Sequence, residues 1–533
     1  MQSSHAHSDD HVSSPYLTLT IVIIGVFMSI LDTSVVNIAI PTMESAFNAN
    51  TNQIQWVLTG YMLTLGVLIP ISGWMTDRFG AKHLFLFSLL MFTVGSALCG
   101  MAWNTSSIIF FRIIQALGGG FMMPVAQAII FRMFPPERRG VVMGVFGIAI
   151  MAAPAFGPAL SGYIVEYSTW RLIFYINVPF GLLAFILGLF AMHEFSHEPH
   201  AKLDFWGFGL STVGFFSLLY GLNDVPTDGW RSLTVLGFIT VGVISLILLV
   251  IVELIVPNPV IQLRVFKDYM FTMSTIIGSI ANIALFAGIF LLPIFLQEVV
   301  GLSAIRTGLL MTPAALASAV MMPISGRLFD KIGARPLGLV GLFIITITTI
   351  GFTRLGRNTS VDYIQWLYIL RSVGMGMTMM PIMTAGMNTV PRKWVSQGSG
   401  VTNTARQVAA SLGTALLTSI LTNRERFHFA VMATNVTPFT AQGQKLLALQ
   451  HAYSTQGMSP AVVSTLYAGL LRAKAFVEGM NDTFWVAFWL TVAAFILTMF
   501  FYSRKEAEIR RGLRHKNKAI EADGQKPALP ALE

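Results

Sequence analysis

Runs of about twenty mostly apolar residues recur along the whole chain, separated by short gaps rich in Pro, Gly and charge. A run of that length crosses a bilayer core as one helix, and within lipid every backbone polar group must be bonded inside its own segment. Such a chain has little choice but to become a helical bundle. Of 533 residues, 54% are hydrophobic and 11% charged, roughly half a soluble domain's charged share, so a single water-soluble core cannot hide them. The spacing predicts spans over 17–41, 54–75, 84–103, 106–131, 141–165 and 172–193. Two more follow over 204–223 and 232–255, then six over 271–298, 305–325, 336–354, 364–390, 397–421 and 482–502. The expected fold class is an all-α integral membrane protein with fourteen transmembrane helices.

Lys and Arg in the short loops set orientation. Arg78, Lys82, Arg132, Arg138, Arg139, Lys202, Arg264 and Lys267 fall on one side. Lys331, Arg335, Arg392 and Lys393 join them, as do Arg504, Lys505, Arg510, Arg511 and Arg514 in the tail. The other side is poorer, with Arg171, Arg231 and Arg357 as exceptions. Both termini are therefore expected in the cytoplasm. The net charge of +9 is a topology signal on this reading, and no nucleic-acid partner is expected, although the basic tail can touch anionic lipid. Cys99 alone cannot form an intramolecular disulfide. The first apolar run is too long for a cleavable signal, and a polar tail precedes it. That tail, "HAHSDDH", offers His5, His7 and His11, but nothing folds them into a fixed geometry, so no metal is expected.

The chain also repeats itself. "PISGWMTDRFGAKHL" (Pro70–Leu84) is echoed by "PISGRLFDKIGARPL" (Pro323–Leu337), and "MMP" stands at Met122–Pro124 and again at Met379–Pro381. Paired bundles of this kind mark transporters built from repeats, with the substrate held between them. The expected divisions are a tail over 1–16, a six-helix bundle over 17–193 and a linker with two inserted helices over 194–270. A second bundle follows over 271–502, with a long outer connection at 422–481, then a basic tail over 503–533. In each repeated loop the Gly permits a tight turn. Asp77, and Asp330 in the echo, can accept hydrogen bonds from a neighbouring helix N-terminus and so latch one conformation. The plainer alternative is a turn carrying topology-setting charges.

A charge near the bilayer centre costs about 2.5–3.5 kcal/mol on insertion scales, so it marks a function or a partner. Asp32, Arg112, Arg371 and Arg406 stand out. Arg112, Gln115 and Gly119 share one helical face, as do Asn403, Arg406 and Gln407. Thr33 and Asn37 share a face in the first helix, whereas Asp32 and Asn37 do not. Structural pairing is the alternative reading for all four charges, and Arg371 fits it best. For Asp32, burial favours the protonated form and a nearby arginine the ionised one. A carboxyl pulled both ways suits a proton site. "GIAIMAAPAFGPALSG" (Gly147–Gly162) combines kinking prolines with small residues that allow close packing. Methionines in "GMGMTMMPIMTAGM" (Gly374–Met387) read as adaptable lining, since no Cys or His accompanies them as for a metal path. There is no nucleotide loop, nucleophile elbow or metal cluster, so neither an enzyme nor a cofactor is expected, and uphill transport would draw on a gradient.

In order along the chain these motifs resemble the major facilitator superfamily, specifically its fourteen-helix drug:proton antiporter branch. "LDTSVVNIAIP" is similar to the branch's first-helix signature through Asp32, Asn37 and Pro41. "GWMTDRFGAKH" resembles the superfamily's loop motif through Gly73, Asp77, Arg78, Gly80 and Lys82, with Ala81 where a basic residue is usual. "FRIIQALGGG" resembles the fourth-helix motif through Arg112, Gln115 and Gly118. "APAFGPALSG" resembles the antiporter motif through Pro154, Gly157, Pro158 and Gly162, with Ser161 where Gly is common. "WRLIFYINVPFG" (Trp170–Gly181), which contains Asn177, is typical of the branch too.

The resemblance implies alternating access, with export of hydrophobic or cationic compounds against proton entry across the cytoplasmic membrane. It makes Asp32 the proton carrier and Arg112 its modulator. The loop residues and Asp330 become a conformational latch, and the fifth helix the pliable antiport element. Asn37, Gln115, Asn177, Asn403, Arg406 and Gln407 are the candidates for the substrate cavity. Expected partners are a small-molecule substrate, protons and lipid, for a monomeric protein. A helix starting at Ser459-Pro460 in the 422–481 connection can cap the exit path, dock an outer partner or simply pack. A dedicated exporter of one metabolite, lipid or siderophore is the second reading, and a transport-inactive sensor or scaffold the third.

Overall fold

The structure, a computed structural model, describes residues 14–195, 204–454 and 458–502, apart from the side chains of Pro158 and Ala304. Both tails lie outside the described residues, and with them His5, His7, His11, Lys202 and the basic cluster Arg504, Lys505, Arg510, Arg511 and Arg514.

The N-terminal half comprises α1 (Pro15–Phe47), α2 (Thr51–Phe79), α3 (Ala81–Gly100), α4 (Thr105–Met133) and α5 (Arg139–Tyr167). It closes with a span broken at Ile176 into α6 (Leu172–Tyr175) and α7 (Asn177–Ala191). The inserted pair is α8 (Phe205–Asp228) and α9 (Leu233–Ile255). In the C-terminal half, α10 (Tyr269–Phe286) continues through two π-helical turns, Ala287–Leu291 and Phe295–Val299, that flank the short α11 (Leu292–Ile294). Then come α12 (Ala304–Ile332), α13 (Ala334–Phe352), α14 (Val361–Met387), α15 (Val395–Thr434), α16 (Ala441–Ser454) and α17 (Pro460–Met499). Each predicted span overlaps these helices, several overrunning a helix end by one to three residues, while 172–193 and 271–298 each cover more than one helical segment.

Twelve spans are long and apolar enough to cross a membrane on composition alone. The other two, α14 and α15, are long enough but more polar; they carry Arg371, Asn403 and Arg406. α9 leaves most of its apolar surface exposed, and Phe190, Phe205, Leu233 and Ile255 are each at least 75% exposed. Water would penalise such a surface and lipid does not, so the chain is a multi-pass membrane protein.

Local chemistry sets the helix ends. Asn50 accepts from the Gln53 amide at 2.8 Å while the Gln53 side chain accepts from the Asn50 amide at 3.2 Å, a reciprocal cap on α2. Asn104 and Ser107 cap α4 in the same way. Ser459 and Pro460 start α17 as the sequence predicts. At the repeated loops Gly80 has φ +86° and Gly333 φ +84°, a conformation that only Gly adopts without strain.

Beyond the expected spans, α1 runs through Pro41 to Phe47. The 422–481 connection is mostly helix rather than loop: α15 and α17, each 40 residues long, continue into it over 422–434 and 460–481, with α16 between them. Arg424 bonds Asp482 at 2.5 Å and Arg472 bonds Glu425 at 3.2 Å, which ties the two extensions side by side.

The halves meet along α5 with α12, and along α2 and α4 with α15. α8 packs on α9, and also on α2 of one half and α15 of the other. The Trp230 indole donates to Ser419 Oγ at 2.9 Å across that junction. The largest apolar cluster crosses the seam, joining Phe131, Phe146 and Ile150 to Met322, Met380 and Met387.

Candidate functional site

Five helices of the N-terminal half converge on Asp32, which is 1% exposed on α1. Arg112 Nη1 on α4 donates to Asp32 Oδ2 at 2.5 Å. Gln115 Nε2, one turn along α4, donates to Oδ1 at 2.9 Å. Asn177 Nδ2, the first residue of α7, donates to the same oxygen at 3.1 Å. Gln115 Oε1 accepts from Arg112 at 2.9 Å, so one amide serves both charges. Asn177 is oriented by Ser96 of α3 at 3.2 Å, and Ser96 in turn donates to the Phe174 carbonyl at 2.8 Å. The guanidinium stacks 4.0 Å above the Tyr61 ring of α2, while its Nε donates to the Val57 carbonyl at 3.3 Å.

This arrangement has a switchable character. An ionised carboxylate is an acceptor only, and Asp32 uses both oxygens that way. A proton on Oδ2 would remove the acceptor that Arg112 needs. The arginine would keep the Tyr61 face and the Val57 carbonyl, two contacts that do not depend on Asp32. Separating a buried pair without such alternatives costs about 3–5 kcal/mol. The arrangement pairs a buried carboxylate with a buried cation that also holds contacts of its own.

A second cluster closes the seam at the end where the basic loops lie. Arg132 Nη2 bridges Asp77 Oδ1 at 3.0 Å and Ser396 Oγ at 2.7 Å, while Gln397 Nε2 donates to Asp77 Oδ2 at 3.1 Å. These contacts tie α2 and α4 to the start of α15. Gly73 makes them feasible, since a Cβ there would lie 2.7 Å from the Gln397 Cα. Across the pseudo-repeat, Asp330 at the end of α12 accepts from the Gly140 and Val141 amides at 3.1 and 3.2 Å, in the first turn of α5. Four unsatisfied N–H groups and the positive end of the dipole make that turn a natural carboxylate seat. Gly326 and Gly140 approach so closely that a Cβ on Gly326 would lie 2.1 Å from the Gly140 oxygen.

Other predicted residues sit elsewhere. Arg78 makes no hydrogen bond or ion pair with any described residue. Lys82 Nζ donates to the Leu189 carbonyl at 3.1 Å, which places it at the end of α7 rather than across the seam. Asn37 is exposed, on the opposite side of α1 from Asp32. Asn403 Nδ2 donates to Gln127 Oε1 at 2.8 Å, and Ser399 donates to the Pro124 carbonyl at 2.7 Å, so α15 and α4 are bonded mid-seam. Gln407 is half-buried. On α5, Ser34 of α1 donates to the Pro154 carbonyl at 3.5 Å, Gly157 lies against Ser34, and Gly162 faces Ile305 of α12. Ser161, which departs from the usual Gly, donates to the Val35 carbonyl at 2.8 Å. The helix thus rests against α1 on one side and α12 on the other. The Pro158 side chain lies outside the described residues.

Sequence reasoning missed Tyr61, Ser96, Gln127 and the seam roles of Arg132, Ser396 and Gln397. Gln127 was the most findable, a lone amide inside "PVAQAII".

Two pseudo-repeated helical bundles, a lipid-facing surface and a buried ion pair point to a membrane transporter. Residues 22–414 match the Major Facilitator Superfamily, and the chain belongs to that family. It is therefore a transporter, not an enzyme, and handles small molecules. It is 40% identical over 511 residues to the uncharacterized MFS-type transporter YhcA of Bacillus subtilis, covering 94% of this chain and 96% of the relative. It is 33% identical over 429 residues to the lincomycin resistance protein LmrB of the same organism, covering 80% and 90%. With the multidrug export protein EmrB of Escherichia coli the identity is 29% over 468 residues, covering 87% and 91%. The fold is similar to that of the proton:xylose symporter XylE, with a TM-score of 0.58 at 12% identity, covering 92% of this chain and 96% of the other.

Proposed function

We propose that this transporter is a proton-coupled antiporter that exports hydrophobic or cationic compounds, with both termini in the cytoplasm. The observation that carries this reading is the Asp32–Arg112 pair, a carboxylate 1% exposed whose partner also holds contacts to Tyr61 and Val57 that do not depend on it. Relatives named for multidrug export and lincomycin resistance support an efflux direction. Protonation of Asp32 from outside leaves Arg112 held by Tyr61 and the Val57 carbonyl and relaxes the packing of α1 against α4 and α5. Loss of the proton inside resets the pair. Rocking about the seam breaks the Asp77 and Asp330 clusters together, since both join the halves at the same end.

The energetics are adequate. A proton entering down 100 mV releases about 2.3 kcal/mol, and each unit of pH difference adds about 1.4. At one-to-one coupling that sustains roughly a few hundredfold gradient of a neutral solute.

The test is proton release from proteoliposomes on addition of ethidium, wild type against Asp32→Asn. Substrate-driven release that disappears in the variant is the expected result. Equal release in both places the proton site elsewhere, and no release with any lipophilic cation removes the multidrug reading.

A further inference from the structure

Arg371 and Arg406 both lie in the membrane region of the C-terminal half, yet they are treated differently. Arg371, 1% exposed, donates to Thr349 Oγ1 at 2.5 Å and to the Ala284 carbonyl at 2.7 Å. It behaves as a structural cation. The Arg406 guanidinium makes no hydrogen bond or ion pair with any described residue; only its backbone oxygen is engaged, by Asn282 at 3.1 Å. Its side chain lines a cavity of about 30 Å³ between α10, α14 and α15, room for one water or a group of carboxylate size.

The rest of the cavity wall says what would answer that charge. Ser274, Thr275 and Thr378 donate their hydroxyl protons to helical carbonyls at 2.8, 2.9 and 2.8 Å, so each can only accept from a ligand. Methionines 379, 380 and 383 supply an apolar, deformable surface. Arg406 is therefore the strong free donor of the cavity, with N–H groups in a fork that matches a carboxylate or a related oxyanion. The acidic side chains of α10, α12, α14 and the π-helical turn after α11, namely Asp268, Glu298, Asp330 and Asp362, all lie at helix ends and not in the cavity wall. An uncompensated cation held in an apolar wall is costly for the fold unless something else supplies the negative charge.

We propose that the cavity between α10, α14 and α15 is an anion subsite, in which Arg406 binds the acidic group of an otherwise apolar ligand. This deepens and rests on the exporter reading, and it adds to the substrate class amphiphiles that carry a carboxylate, sulfonate or phosphate, zwitterions included. The subsite takes the acid while the methionines accept the adjoining hydrocarbon.

Rhodamine 110 and its methyl ester, rhodamine 123, differ only at the carboxyl group. Equilibrium binding of both dyes to the purified full-length protein in phosphatidylcholine nanodiscs tests the assignment. Wild type is expected to favour the acid by about tenfold or more, the usual worth of a hydrogen bond to a charged group. In Arg406→Gln the acid-over-ester ratio should fall close to one, and in Arg406→Lys to an intermediate value. A ratio of one in wild type, or a ratio unchanged in Arg406→Gln, overturns the proposal. Wild type alone provides a second reading, should the variants not fold: 2-naphthoate must displace rhodamine 110 at lower concentration than methyl 2-naphthoate, and equal displacement overturns it. Adding phosphatidylglycerol to the nanodiscs separates the sources. Competition that depends on Arg406 makes the ligand a lipid headgroup, and its absence makes it a soluble acid; either result keeps the anion chemistry. Flux in proteoliposomes distinguishes this proposal from the reading beneath it. A tenfold binding preference with no flux of either dye removes the exporter and keeps the subsite. Flux of both dyes with no preference removes the subsite and keeps the exporter.

Discussion

The two halves repeat each other's loops and helices but not their buried charges. In the N-terminal half Arg112 meets Asp32, and the pair is neutral as a unit. In the C-terminal half Arg371 rests on a hydroxyl and a carbonyl, and the Arg406 guanidinium has no hydrogen-bond or ion-pair partner among the described residues. A carboxylate–guanidinium pair contains an acceptor that a proton can occupy. A lone arginine contains none, and it stays charged at any physiological pH. The difference puts a carboxylate beside the buried arginine of one half and leaves only fixed charge in the membrane region of the other, although the two halves share a similar helix architecture.

The sharpest way to break this comparison is to remove each arginine in turn. Arg112→Gln strands a buried carboxylate and should cost about 3–5 kcal/mol. Adding Asp32→Asn should recover much of that stability without restoring transport. Arg371→Gln strands no charge, and loses hydrogen bonds worth about 1–3 kcal/mol while it relieves an uncompensated cation. Thermal unfolding of the purified variants should therefore rank Arg112→Gln well below Arg371→Gln. Equal losses would mean that the halves hold their arginines in the same way.

Packing offers a second, smaller contrast. A Cβ at Gly95 of α3 would lie 2.4 Å from the Gln115 Cα, directly behind the Asp32 site, whereas one at Gly278 of α10 meets nothing within 4 Å. Gly95→Ala should destabilise by about 1–3 kcal/mol and depress transport, as overpacking does. Gly278→Ala should leave the melting temperature near that of wild type.

The smallest expected effect compares the two seam carboxylates. Asp330→Asn keeps an acceptor for only one of the Gly140 and Val141 amides and loses the charge at the start of α5, itself worth about 0.3–1 kcal/mol. Asp77→Asn loses an ion pair to Arg132 that is 12–19% exposed and should shift the balance between conformations further. Cysteine labelling at the basic end reads this directly, because Cys99 is buried. Accessibility should rise modestly in Asp330→Asn and more in Asp77→Asn; the reverse order would make the repeat loops unequal in the opposite sense.

Much of this was visible in the chain itself. The spans are legible because lipid leaves an apolar helix few alternatives, and the Asp32–Arg112–Gln115 grouping because a charge in such a run demands a partner. Asn177 carried a weaker signal. Tyr61 carried none, since a tyrosine in a membrane helix has many uses and its stacking on Arg112 depends on how α2 crosses α4. Arg132 read as one more topology charge, and only the fold reveals that it spans Asp77 and Ser396. The 422–481 stretch misled for a physical reason. Arg424, Glu425 and Arg426 end the apolar run, but the end of a membrane span is not the end of a helix, and paired charges on α15 and α17 carry both onward.

Those two long helices have a mechanical consequence. At 1.5 Å per residue, 40 residues span about 60 Å, roughly twice the thickness of the hydrocarbon core. The surplus of about 30 Å stands as a lever arm clear of the bilayer, stiffened by the pairing of one rod with the other. For each ~10° that the C-terminal half tilts, the far end sweeps through roughly 5 Å, close to the pitch of one helical turn. A motion small enough to be absorbed by side chains within the membrane is thereby magnified into a displacement that anything resting on the tip would feel.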